Sequence, residues 1–446
     1  MRIGQAIRAS KLVLYGYFAL LMLIGALLLW VLPTWGGEEP LGFLDALFTS
    51  VSAVAVTGLI TVDTAQYTLL GQSIVLGLIQ LGGLGIIAFT TLHLTGPRRR
   101  LSLKRRAVIR EFSVGSVEHE PRRILRGIVA STLAFETLIA AALLPGFLTR
   151  NVDRPVFTAV FHAVSAFCNA GFSTFTDSLE GFVGAPSVTV PIMVAIVLGG
   201  LGFVVHQDIA FGLFRRRHVV ALHTRIVVVS SAVLLLFGFL FYLVVEWDGA
   251  FAGLTTGDRL YAAAFQSVTP RTAGFNTVVQ SDLSAPGLVL TLVFMLTGGG
   301  PGSIAGGVKV TTVFIIIWAA LGRTDVAGEA RVFRRKIRAP LIARATMFFV
   351  RALLILVGAI IALGVTEIVL AGSDVGFRDL VFEAFSAFGT VGLSMGITGG
   401  LSPAGKLVVM ATMFAGRVGL ISLAIPTRGK SWRGRIDYPP GEVLIG

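Results

Sequence analysis

The sequence predicts an all-α integral membrane protein made of four consecutive repeats, with eight transmembrane helices and four shorter re-entrant helices. Three observations carry that expectation. The chain has 446 residues, 54% of them hydrophobic and only 14% charged, whereas a soluble domain is about one-quarter charged. Long apolar runs recur over its whole length. A phenylalanine-led stretch ending in a single glycine occurs four times.

The apolar runs lie at 12–32, 71–95, 127–148, 188–213, 226–245, 341–370 and 404–426. Each is near or above the ~20 residues that a spanning helix needs. An eighth, 286–321, is long enough but interrupted by glycines. The basic start from Arg2 to Lys11, followed by an apolar run, imitates a secretory signal. The run is longer than a signal's apolar region and lacks a small-x-small cleavage site, so it reads as a retained first helix.

A net charge of +13 would suit nucleic acid, but its distribution argues against that partner. Five segments (1–11, 96–126, 206–225, 321–344 and 427–446) hold 28 of the 37 Lys and Arg and only 8 of the 24 acids. They alternate with the apolar runs, as the positive-inside rule requires of cytoplasmic loops, and so put both termini in the cytoplasm. The opposite side carries Glu38, Glu39, Asp63, Asp153, Asp177, Glu180, Asp248, Asp282 and Asp374, which suits a cation arriving from outside. The lone Cys168 excludes an internal disulfide and a multi-cysteine metal site.

The glycine motifs organise the rest. Val56-Thr57-Gly58 follows Phe48 to Ser52, Asn169-Ala170-Gly171 follows Phe161 to Ser165, Thr272-Ala273-Gly274 follows Phe265 to Thr269, and Thr390-Val391-Gly392 follows Phe382 to Gly389. The glycines stand 113, 103 and 118 residues apart, so the repeat fills the chain. One copy alone reads as a glycine closing a helix; four in matching context do not. Thr390-Val391-Gly392-Leu393 resembles the Thr-Val-Gly-Tyr of a potassium-channel filter, where backbone carbonyls replace the ion's hydration shell. Aiming successive carbonyls at one axis takes backbone conformations that a Cβ resists. In the first repeat a half-helix over 42–55 is expected to stop near mid-membrane. Its C-terminal dipole would favour cations, and non-helical backbone at that depth is tolerated where it lines a watery path.

The inner helices carry their own signature. Leu81-Gly82-Gly83-Leu84-Gly85 recurs as Leu198-Gly199-Gly200-Leu201-Gly202, which reads as close helix packing. In the third repeat, Gly298, Gly299, Gly300, Pro301, Gly302, Ser303, Gly306 and Gly307 crowd into 298–307. Each glycine costs a helix about 1 kcal/mol relative to alanine, so a mobile, non-helical loop across the path is expected, with the helix resuming at Val308-Lys309-Val310. In the fourth repeat Arg417 lies 25 residues after Gly392, as Gly83 follows Gly58 and Gly299 follows Gly274. An arginine at that depth is expensive and functional by default. The alternative, snorkelling to the cytoplasmic face, is disfavoured by the nearly ten apolar or small residues that still follow it. Its partner is either the loop's carbonyls or a buried acid such as Glu136, itself a mid-helix carboxylate open to a structural or a functional role. His162, Cys168, His206 and Asp208 read as packing or interface residues.

Together, the four single-glycine filters, the broken helix ending in Gly-Gly-Val-Lys and the late arginine resemble the Trk/Ktr/HKT potassium transporters, most nearly the membrane subunit of bacterial Ktr systems. The resemblance covers essentially the whole chain. It implies potassium uptake across the bacterial plasma membrane through one central pore per protomer, in a homodimer that sits on a cytosolic nucleotide-binding ring (KtrA/TrkA-like). The nucleotide would be on the ring and not on this chain, and sodium stimulates many such systems. It implies a filter at Val56, Thr57, Gly58, Asn169, Ala170, Gly171, Thr272, Ala273, Gly274, Thr390, Val391 and Gly392, holding K+ by backbone carbonyls, and a gate made of the 298–307 loop and Arg417. The repeats would run 1–95, 96–214, 215–322 (with the loop at 296–307) and 323–427, followed by a cytoplasmic tail at 428–446. The basic segment 98–126 is assigned to ring docking in part, or to anionic lipid.

Departures from Thr-Val-Gly-Tyr, notably at Asn169-Ala170, leave a sodium-permeable or poorly selective cation channel of the same family as the alternative. In some plant members of the family the first filter glycine is serine, and Gly58 at that position favours potassium. An enzyme using 298–309 as a phosphate loop is a poorer reading: Lys309 lies between valines in an expected membrane helix, and no His/Asp/Cys cluster supplies catalytic chemistry. A purely structural scaffold leaves four filters unexplained.

Overall fold

Four helices of 13 residues each punctuate the chain, and each is followed within four residues by a left-handed residue two positions before a motif glycine. The computed structural model describes residues 2–95, 121–214, 219–322, 324 and 328–419. Its elements begin with α1 (Arg2–Val31), the short α2 (Phe43–Ala55) and α3 (Leu69–Thr95). Then come α4 (Pro121–Thr149), the short α5 (Pro155–Phe167), α6 (Pro186–Leu201) and α7 (Phe203–Phe214). The third set is α8 (Leu222–Val245), the short α9 (Thr256–Val268), α10 (Ala285–Leu296) and α11 (Val310–Ala320). The last is α12 (Ala339–Gly364), which runs on as a π turn over Val365–Leu370, the short α13 (Phe377–Gly389), and α14 (Pro403–Phe414) with a π turn over Ala415–Gly419. Between each short helix and the helix after it stands a three-residue 3-10 turn, at Thr64–Gln66, Glu180–Phe182, Gln280–Asp282 and Thr398–Gly400.

Among the described residues, four helical stretches are long and apolar enough to cross a membrane: Leu12–Val31, Leu125–Thr149, Leu222–Val245 and Ala339–Leu370. Only 17–33% of each is buried, so the remaining apolar surface faces outward, as lipid contact requires. The expected unbroken span at 188–213 is not observed. Instead α6 and α7 meet at a 98° bend. The cause is Gly202, whose φ of 95° and ψ of 147° no helix contains; Phe203 N–H turns from its own helix to the carbonyl of Gly302, 3.3 Å away. The run 286–321 breaks as expected, into α10 and α11.

Each inner helix packs against the short helix of the following set: α3 on α5, α6 on α9, α10 on α13, and α14 back on α2, which closes a ring. The first, second and fourth inner helices also pack on the short helix of their own set, and there small residues allow the approach. A Cβ added at Gly82, Gly199 or Gly416 would stand 2.8, 2.9 and 2.9 Å from the carbonyl carbons of Val54, Phe167 and Phe388, each four residues before a motif glycine. The motif phenylalanines Phe48, Phe161, Phe265 and Phe382 are buried.

Two features are additional to the sequence reading. Buried Glu246 accepts from Ser284 N–H (3.1 Å) and its hydroxyl (2.6 Å), and Glu367 does the same to Ser402 (3.1 and 2.7 Å), anchoring the starts of α10 and α14. A two-stranded antiparallel hairpin, β1 (Ala330–Val332) with β2 (Arg335–Ile337), interrupts the otherwise helical fold. Phe333 and Arg334 both have positive φ, as a two-residue hairpin turn needs. Ala330, Val332 and Ile337 bury against Ile226, while the intervening charges point out.

Candidate functional site

Each short helix ends in the same four-step reversal. The residue two before the motif glycine is left-handed (Val56 φ 57°, Asn169 φ 56°, Thr272 φ 72°, Thr390 φ 49°), and the glycine is left-handed again (Gly58 98°, Gly171 71°, Gly274 82°, Gly392 96°). Positive φ is rare for a branched residue such as valine, so these loops are strained and need fastening. The fastener is one hydroxyl residue per loop, four positions after each phenylalanine: Ser52, Ser165, Thr269 and Ser386. Their carbonyls accept from Thr57, Ala170, Ala273 and Val391 N–H at 2.7–3.0 Å. Ser52 and Ser386 hydroxyls also accept from Gly58 and Gly392 N–H, both at 3.1 Å, while those of Ser165 and Thr269 donate to the carbonyls of Phe172 and Phe275. With the donors turned back onto the helix, the carbonyls are left to face elsewhere.

They face one another's glycines. A Cβ built on Gly58 would lie 3.1 Å from Gly171 Cα, one on Gly171 2.9 Å from Gly274 Cα, one on Gly274 3.2 Å from Gly392 Cα, and one on Gly392 3.0 Å from Gly58 Cα. The four glycines thus close a ring in chain order. The same four Cβ positions would collide with the carbonyl oxygens of Ala170, Ala273, Val391 and Thr57, so the carbonyl preceding each glycine crowds the same centre. Asn169 adds a side-chain tie between neighbouring loops, its carboxamide 3.3 Å from Thr272 Oγ1.

The 297–309 segment lies against this ring. It is non-helical as expected, but it is fastened by its own backbone: Gly298 N–H donates to Val308 O (2.9 Å), Val308 N–H to Leu296 O (3.0 Å) and Val310 N–H to Gly299 O (3.1 Å). Ser303 closes the tip by donating its hydroxyl to Gly300 O at 2.6 Å. Gly306 fits beneath the fourth loop, where a Cβ would be 2.7 Å from Gly389 O. The outer end docks on the break between α6 and α7, with Gly300 N–H donating to Gly200 O at 2.8 Å. That carbonyl is free to accept because the helix ends there.

A buried arginine and a half-buried lysine hold the loop's other end. Arg417 Nη1 donates to Ile304 O, and Lys309 Nζ donates to Ala305 O at 2.5 Å. Of the two partners expected for Arg417, the carbonyls are the ones observed, and Arg417 Nε and Nη2 find no acceptor among the described residues. Glu136 instead accepts from Gln80 Nε2 (3.1 Å) and lies 3.8 Å from the Cys168 thiol. Lys309 is the residue that sequence reasoning left out of the site, although it closes the Gly-Gly-Val-Lys signature. His162 bridges Thr158 O and Ser173 Oγ, and Asp208 accepts from Ala221 N–H at 2.9 Å. Most of the basic segment 98–126 and the tail at 428–446 lie outside the described residues.

Comparison with known proteins agrees with this architecture. The family described as TrkH, "Cation transport protein", matches residues 5–433. The chain is 36% identical to Ktr system potassium uptake protein B of Bacillus subtilis over 436 residues, covering 96% of this chain and 95% of that protein. It is 34% identical to the potassium/sodium uptake protein NtpJ of Enterococcus hirae over 450 residues, covering 100% and 99%. Among solved structures, the potassium transporter TrkH from Vibrio parahaemolyticus superposes with a TM-score of 0.72 at 20% identity, over 94% of this chain and 84% of that one, and so shares the fold.

Proposed function

Because the chain belongs to the TrkH family of cation transport proteins, we propose that it is the pore-forming membrane subunit of a bacterial potassium-uptake system. The observation that carries the reading is the closed approach of Gly58, Gly171, Gly274 and Gly392, with the carbonyls of Thr57, Ala170, Ala273 and Val391 crowding their centre. On this reading the chain is four outer-helix, pore-helix, inner-helix repeats around one pore, with the repeat boundaries and filter residues given above. A K+ ion exchanges its water for the ring's carbonyls, and four helix C-termini aimed at the site add a favourable field.

Below the filter, the 298–307 loop with Arg417 and Lys309 is the gate. It closes the path sterically and also by charge: Arg417 and Lys309, with no carboxylate partner among the described residues, repel K+ strongly where the effective dielectric is low. Opening requires Arg417 to release Ile304 O and Lys309 to release Ala305 O. A cytosolic nucleotide-binding ring would do this by moving α11, and a homodimer with both termini cytoplasmic would present the basic loops to it. The relative named a potassium/sodium uptake protein supports a second reading, a pore that also admits Na+.

The test is growth of a bacterium stripped of its own K+ uptake systems at limiting K+. The chain with a Ktr-type ring subunit should restore growth, and Gly392→Asp should abolish it. A well-expressed, membrane-inserted chain that fails to restore growth contradicts the proposal.

A further inference from the structure

Behind each loop, immediately after the motif phenylalanine, stands a polar residue with no solvent exposure: Thr49, His162, Gln266 and Glu383. Each lies three residues before the fastening hydroxyl (Ser52, Ser165, Thr269 or Ser386) and hence on the same helix face. Each reaches past the motif glycine to the outer limb of its loop. Thr49 Oγ1 accepts from Tyr67 Oη at 3.2 Å. His162 Nδ1 donates to Thr158 O, which can only accept, and its Nε2 lies 3.0 Å from Ser173 Oγ. Gln266 and Gln280 exchange reciprocal amide bonds at 3.0 and 3.3 Å. Glu383 accepts from Thr398 Oγ1 at 2.5 Å and from Ser394 Oγ at 2.8 Å. In three of the four loops the partners recur in register: Ser173 and Ser394 stand two residues after their glycines, Gln280 and Thr398 six after, while Tyr67 stands nine after Gly58.

We propose that Thr49, His162, Gln266 and Glu383 are positioning residues that set the spacing of the ring's carbonyls, and with it the discrimination of K+ from Na+. The inference rests on the filter reading above. The hydroxyl residue holds the inner limb of each loop and the polar residue holds the outer limb, so the glycine is suspended between two fixed points. K+ and Na+ differ in radius by a fraction of an ångström, and a carbonyl ring prefers the larger ion only while it resists collapsing onto the smaller one. Sites of that tolerance need their supporting side chains locked. Four different chemistries do the same job, a hydroxyl, an imidazole, a carboxamide and a carboxylate, because each matches the partner its own loop offers.

The experiment measures Rb+ and Na+ tracer flux into liposomes carrying the purified full-length protein. Gln266→Leu and Gln280→Leu should each lower the Rb+/Na+ flux ratio by about tenfold, by admitting Na+, and the double variant should fall no further than either single one. Glu383→Leu should do likewise, while Glu383→Gln, which keeps an acceptor, should stay within about twofold of the unmodified ratio. Tyr67→Phe removes only a hydroxyl, and should lower the ratio about threefold even if the leucine variants do not fold. The proposal is overturned if folded variants keep the unmodified ratio, or lose Rb+ and Na+ flux in proportion. Gly58→Ser is the control on the reading beneath it: a ratio that moves with Gly58→Ser but not with Tyr67→Phe or Gln266→Leu overturns the bracing alone. Equal Rb+ and Na+ flux in the unmodified protein overturns both.

Discussion

Arg417 donates to the carbonyl oxygen of Ile304, tying the last inner helix to a loop 113 residues earlier in the chain. The guanidinium is buried, and two of its nitrogens have no acceptor among the described residues, so this carbonyl is its principal compensation for leaving water. Arg417→Ala should therefore release the loop, raising K+ flux severalfold and weakening its dependence on a regulatory subunit. Arg417→Lys should restore closure only in part, being a point charge without the planar fork. Tracer uptake in liposomes with and without the ring measures both, and unchanged flux and regulation would place the gate elsewhere.

The loop's other attachment is the break at Gly202. Its φ of 95° disfavours any side chain, and a Cβ there would stand 2.9 Å from Pro301 O. Gly202→Val should leave the filter intact while loosening the dock between Gly300 N–H and Gly200 O. Rb+ flux should rise with the Rb+/Na+ ratio unchanged. A variant with altered ratio and unaltered flux would contradict the separation of dock from filter.

The paired caps should matter equally to stability. Glu246→Ala and Glu367→Ala each strip acceptors from a serine N–H and hydroxyl at a buried helix start, a loss of about 2–3 kcal/mol apiece. Thermal unfolding in detergent should show comparable drops for the two. A loss confined to one of them would break the equivalence.

Glu180 supplies a pH dependence on the outer face. Burial, reinforced by Asp177 and Asp282, holds its carboxyl above the usual range, against the opposing hydrogen bond from Asn276. The folded state therefore binds this proton more tightly than the unfolded chain, so the group's contribution to stability is present below the ordinary carboxylate range and is lost as pH rises through the folded value. Glu180→Gln keeps an acceptor for Asn276 Nδ2 and removes the charge, so it should stabilise the protein at pH 7 and lose that advantage towards pH 4. Melting curves across that range check the sign, and a gain that grows on acidification would contradict it.

Much of this was legible from residue order. The half-helix expected over 42–55 is Phe43–Ala55, and the glycines Gly58, Gly171, Gly274 and Gly392 do meet. The left-handed residue two positions earlier was hidden, because Val56 and Thr390 are types that avoid positive φ unless surrounding structure imposes it. The bend at Gly202 was hidden too. Leu198-Gly199-Gly200-Leu201-Gly202 matches Leu81-Gly82-Gly83-Leu84-Gly85, which lies in an unbroken helix. What differs is the neighbour, since only Gly202 faces Pro301 and Gly302. The 25-residue count that aligns Gly83, Gly299 and Arg417 fails in the second repeat, where Gly200 follows Gly171 by 29 residues; contact with the preceding short helix, through Gly82, Gly199 and Gly416, is the sounder register. His162 read as packing because its partner Ser173 lies across the loop, and the hairpin at 330–337 was masked by its outward charges.

The central claim is that four backbone loops make one potassium-selective path, and ion-selective flux through the purified chain in liposomes tests it most directly. The account predicts Rb+ and K+ uptake well above Na+ at equal gradients, with Gly58→Ser admitting more Na+. Equal K+ and Na+ flux through the unmodified protein, or none at all with the gate released by Arg417→Ala, would contradict it.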